Sequence, residues 1–142
     1  MAKKILLVLI CLVSLVIFVS TLHAQSPKKT ITLPNGDVIH DLNGEWDALV
    51  ENYGPWVNFG SYPQIMKITQ TGSSFVGIRM MNDPNNRKGS KSIQGELDKN
   101  GFKELQMMTG LGPIEADGKI SEDGNKMVLD NGDKVRLTLT RK

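Results

Sequence analysis

Few side chains in this 142-residue chain could carry chemistry. Its two histidines are His23 and His40, and its one cysteine is Cys11. His23 and Cys11 fall in an N-terminal stretch that reads as a leader, which leaves His40 alone and no thiol in the part expected to fold. One imidazole supplies neither a histidine metal cluster nor a Ser-His-Asp set. Glu104 and Glu115 have no spacing that selects them as an acid–base pair. No catalytic residue, metal ion or cofactor is therefore expected. Met66, Met80, Met81, Met107, Met108 and Met127 are too dispersed for a sulfur-only metal site. Neighbours such as Met80 and Met81 point to opposite faces of a strand, so the methionines are read as an adaptable apolar wall.

Two groups of residues could bind rather than react. The stretch YGPWVNFGSYP, residues 53–63, contains Tyr53, Trp56, Phe59 and Tyr62, half of the chain's aromatics. They read as a mouth or lid over a ligand, or as packing over an upper core. The second group centres on Arg79 in FVGIRMM, residues 75–81. Apolar alternation puts Val76, Ile78 and Met80 inward and Arg79 outward, because each buried apolar side chain is worth roughly 1.5–3 kcal/mol. The opposite parity, with Phe75 and Gly77 inward, buries Arg79, which then needs a partner such as a ligand carboxylate. An outward Val76–Ile78–Met80 face implies a subunit interface. The basic loop NDPNNRKGSKS, residues 82–92, reads as solvated rather than as an anion site.

The elements that position these residues are strands. From Asp41 onward, short alternating runs are separated by turn residues, and no stretch keeps helical spacing. Eight strands are expected, at Gly44–Asn52, Gln64–Gln70, Phe75–Met81, Lys91–Leu97, Phe102–Met108, Ile114–Ile120, Lys126–Asp130 and Lys134–Arg141. Asn100-Gly101, Asp123-Gly124 and Asn131-Gly132 mark tight hairpins, and Asn35-Gly36 marks another in the leading segment. Short connections pair each strand with its predecessor, and closure into an up-and-down barrel removes the open edges. The tight connections near residues 71–74, 98–101 and 121–125 lie at one end, which is thus closed. The longer ones at 53–63, 82–90 and 109–113 lie at the other, where only the tight turn before the last strand breaks the pattern, and that end forms a mouth. The inward set includes Met66, Ile68, Ile93, Leu97, Ala116, Met127, Leu129 and Leu137, which would line a ligand cavity. Gly95 and Gly118 share their parity and would leave room inside.

Residues 1–24 read as a signal peptide. Lys3 and Lys4 precede the uncharged run Ile5–Leu22, and a cut is expected after Ala24. The alternative is an uncleaved membrane anchor, because the run is just long enough to span a bilayer. Cys11 lies inside the run behind the bulky Ile10, which argues against lipidation. The chain is thus expected to be secreted or periplasmic, with an arm or hairpin at 25–41 and one barrel domain at 42–142. Setting the leader aside takes two lysines from the 17 basic residues, which then match the 15 acidic ones. Such a chain has no net positive field for nucleic acid.

The first strand starts at the closed end with Gly44-Glu45-Trp46, and the eighth finishes beside it with Arg141. This Gly-x-Trp on the first strand with an arginine on the last resembles the calycin superfamily, which includes lipocalins, fatty-acid-binding proteins and avidin-like barrels. QIMKITQTGSSFVG, residues 64–77, is also similar to the second and third strands of avidin-like and bacterial lipocalin-like barrels. The resemblance implies an eight-stranded barrel plugged by Gly44, Trp46 and Arg141, with Arg79 as an anchor for an anionic group. It also implies an exported binder of a small apolar or amphipathic molecule. A protein-binding or inhibitor-like barrel with a filled core, acting through its surface and N-terminal arm, is the alternative.

Overall fold

The computed structural model describes residues 28–142; the expected leader and the first residues of the arm lie outside them. The hairpin β1 (Thr30–Thr32) and β2 (Val38–His40) comes first. Then follow β3 (Gly44–Asn52), a 3-10 helix (Gly54–Phe59), β4 (Ser61–Thr71), β5 (Ser74–Arg79), β6 (Lys91–Asp98) and β7 (Gly101–Thr109). The chain ends with β8 (Gly112–Glu115), β9 (Asp117–Ile120), β10 (Lys126–Asp130) and β11 (Val135–Arg141). Nine strands form one antiparallel sheet in the order β8-β7-β6-β5-β4-β3-β11-β10-β9, curled into a nearly closed barrel.

The count is nine rather than eight because the strand expected at Ile114–Ile120 breaks at Ala116. Its first half, β8, pairs with β7, and its second half, β9, pairs with β10. The Ala116 N–H donates to the Leu105 carbonyl at 3.1 Å. On the other side the Asn131 side-chain amide donates to the Glu115 carbonyl at 2.8 Å. One broken strand thus joins both margins of the sheet.

Alternation decides what faces inward. Trp46, Ala48 and Val50 on β3, Met66 and Ile68 on β4, and Val135, Leu137 and Leu139 on β11 are buried. Most of the expected cavity set lies in this core instead of around open space. Met66, Ile93, Met127 and Leu129 are fully buried, Ile68 and Leu97 nearly so, and Ala116 half so. The glycines leave no room either. A Cβ on Gly118 would stand 2.3 Å from Phe102 Cδ2, and one on Gly95 would stand 3.0 Å from Phe75 Cζ. The two rings meet edge to face at 5.6 Å. Small residues on one strand thus accommodate large rings from the next, as dense packing requires.

Apolar alternation on β5 reads in reverse. Phe75, Gly77 and Arg79 point inward, and Val76 and Ile78 outward. The outward pair is only half exposed because Thr69 and Gln94 flank Val76, and Lys67 and Lys91 flank Ile78. Long polar side chains can cover apolar neighbours with their stems, so outward placement costs less than full exposure.

The N-terminal hairpin does not project as a free arm. Ile39 and Leu42 are buried against the core, and Ile31 and Leu33 pack against it. Gln70 fixes the connection between hairpin and barrel. Its side chain accepts from the Leu42 N–H at 2.7 Å and donates to the His40 carbonyl at 3.1 Å.

Candidate functional site

The barrel has two unlike ends. At the base Trp46 is fully buried, and its indole N–H donates to the Leu42 carbonyl at 3.0 Å. The Arg141 guanidinium lies over the indole, 4.3 Å from its centroid. Its other donors reach the carbonyls of Asn43 (2.7 Å), Asp41 (2.5 Å) and Gly124 (3.2 Å). Gly44 takes φ +129°, a region that residues with a Cβ avoid. This bend brings the Asn43 carbonyl under Arg141. The arrangement closes the base and offers a ligand no space.

The mouth holds a cavity of about 270 Å³. That volume holds several waters and lies just below the range of about 300–1,000 Å³ usual for ligand sites. Trp56, Phe59 and Tyr62 line one side, Met107, Met108 and Leu111 another, and Val50, Val135 and Leu137 the inner wall. The 3-10 helix carries Trp56 and Phe59, whose rings meet edge to face at 6.2 Å. Lys134 Nζ sits 5.9 Å from the Trp56 ring. Three of the four expected mouth aromatics therefore converge on one space. Tyr53 does not; its hydroxyl donates to Asp130. That hydrogen bond raises the phenol's pKa, with burial adding to it. Of the expected cavity residues, only Leu137 lines the space.

Gln64, Arg79 and Ser92 supply the buried part of the polar lining, and Asn52, Asn85, Asn86 and Thr109 line it nearer to solvent. Arg79 Nε stands 3.2 Å from Asp83 Oδ2, and the Asp83 side chain is wholly buried. One Arg79 terminal nitrogen donates to Ser90 Oγ and the Lys91 carbonyl. The other donates to the Met108 carbonyl at 2.7 Å. Burial lowers the Arg79 pKa, and the nearby Asp83 charge opposes that shift. Gln64 Nε2 donates to Asp83 Oδ2 at 2.8 Å, and Ser92 Oγ donates to Gln64 Oε1 at 3.1 Å. Burial is also what mainly raises the Tyr62 pKa, and Asp83 adds to it.

The buried arginine therefore has its partner within the chain. Sequence reasoning missed Asp83, Gln64 and Ser92 because each is an ordinary polar residue in a strand or loop. The signal that could have found them was the Gln64 that interrupts the apolar parity of β4, together with Asp83 four residues after Arg79. Among the described residues, no group of three or more His, Cys, Asp or Glu stands close enough to hold a metal ion. The mouth can desolvate and orient a small molecule, and its neutral ion pair and amide provide no acid–base or nucleophilic set. No family model matches the chain, and no curated protein or solved structure matches it.

Proposed function

We propose that this chain is a calycin-like carrier or sensor that reversibly binds a small apolar or amphipathic molecule at the barrel mouth, outside the cytoplasm. The observation that supports this most is the mouth cavity itself: apolar and aromatic walls over a small polar floor, above a core already filled. Walls of this kind gain free energy by removing ligand surface from water, and a few fixed polar groups set the ligand's orientation. The composition of Met1–Ala24 supports export, to the periplasm or the medium. The membrane enters this reading only if that segment is retained as an anchor.

Native mass spectrometry of the protein purified from its own source tests the proposal. The expected result is a reproducible extra mass of small-molecule size, lost on denaturation, on a chain beginning at Gln25. A bare chain would overturn the carrier reading.

A second reading, a protein-binding module, draws on one observation. Val57, Phe59 and Leu111 around the mouth are 59%, 51% and 83% exposed, more apolar surface than a closed rim requires. Val38 on the N-terminal hairpin is 55% exposed as well, so the arm stays part of the surface such a module would use. A co-purified protein in the same spectrum would favour this reading.

A further inference from the structure

We propose that the mouth cavity selects a ligand whose head group is neutral and both donates and accepts hydrogen bonds, an alcohol or an amide on an apolar body, and that it disfavours carboxylates. This rests on the reading of the cavity as a ligand site.

The charge on the floor is already balanced. Among the described residues, Arg79 is the only cationic side chain lining the cavity, and Asp83, its side chain wholly buried, stands against its Nε. A ligand carboxylate would bring a second negative charge to this pair. It would give up its hydration without meeting an uncompensated cation.

The hydrogen-bonding capacity left over is mixed. Gln64 Nε2 has two N–H groups and spends one on Asp83. The Arg79 nitrogen that serves Met108 likewise keeps one N–H. Ser92 Oγ donates its only proton to Gln64 and so faces further partners as an acceptor. A hydroxyl or primary amide can use donors and acceptors together. A carboxylate only accepts, and it would leave the Ser92 oxygen without a donor. The apolar body would lie against Trp56, Phe59, Met107 and Leu137.

Octanol, octanamide and octanoate share an apolar body and differ in the head group. Their affinities for the purified chain at neutral pH can be read from the fluorescence of Trp56, because Trp46 is sealed in the base. Octanol and octanamide are expected to bind at least about tenfold more tightly than octanoate. Asp83→Asn removes the balancing charge and is expected to reverse the order. Ser92→Ala leaves the Arg79–Asp83 pair in place, and it is expected to weaken octanol and octanamide several-fold with little change for octanoate. If octanoate binds best to the unmodified chain, or all three bind equally, the inference falls and the ligand site stands. If none of the three binds, both fall.

Discussion

The base and the mouth are built from the same nine strands, yet they solve opposite problems. At the base every large gap has an occupant. Leu42, Trp46, Phe75, Leu97, Met127 and Leu139 are buried to within a few per cent, and Arg141 closes the floor on backbone carbonyls. At the mouth the inward positions combine the apolar Val50, Met107, Val135 and Leu137 with the polar Gln64, Arg79 and Ser92, and these do not fill the space between them. The aromatics stand around the rim instead of filling the space. Identical strand geometry thus gives a packed core or a cavity according to side-chain volume and polarity at the inward positions. Dense packing lies at one end and open space at the other.

The sharpest way to break this comparison is to make one change at both ends. Trp46→Ala is expected to cost about 3–5 kcal/mol, as for other fully buried aromatics. Trp56→Ala, at the half-exposed rim, is expected to shift stability by about 1 kcal/mol or less and to weaken binding at the mouth. Denaturant titration of the two variants checks this, and equal losses would erase the distinction between the ends. Arg141→Ala should come next, at about 2 kcal/mol for a buried charged donor set and its stacking. It should lower the melting temperature while leaving mouth affinity unchanged. A loss of affinity at constant stability would instead assign Arg141 to the binding site.

The smallest effect concerns pH. His40 lies on β2 beside the β9–β10 turn, and its Nδ1 has no hydrogen-bond partner among the described residues. Burial lowers its pKa below 6.5, the charges of Lys28 and Arg141 lower it further, and Asp123 opposes them. The unfolded chain therefore binds the His40 proton more readily than the folded one does. The stability held above about pH 6.5 should decline as pH falls through that value toward the lower folded pKa. Thermal melts across this range should show the decline, and His40→Gln should flatten it. An unchanged slope in the variant would place the pH sensitivity elsewhere.

The division of labour between sequence and structure is visible in single residues. Alternation in β3 and β11 put Trp46 and Arg141 at one end, and strand parity alone made them neighbours, because consecutive antiparallel strands leave the first beside the last. Three of the four mouth aromatics, Trp56, Phe59 and Tyr62, were legible from the length of their loop, and Tyr53 was not, because its hydroxyl turns to Asp130. Alternation on β5 failed. Val76 and Ile78 look like core residues, but Phe75, Gly77 and Arg79 take the interior. That choice depends on two partners remote in sequence, Phe102 packing on Phe75 and the Met108 carbonyl accepting from Arg79, and on Asp83, which only the fold of the following loop brings back to Arg79.

The broken strand at Ala116 was hidden for the same reason, because its two halves answer to different neighbours. Gly95 and Gly118 read as empty space in one dimension; in three the Glu104 carbonyl stands over Gly95 and the Phe102 ring over Gly118. By itself the sequence determined the class of fold, the position of the plug and which end is open, because these follow from local period and loop length. Only the tertiary structure decided where the cavity lies and what charge its floor carries. Volume and hydrogen-bond balance are properties of residues that meet across strands, and no local pattern records them.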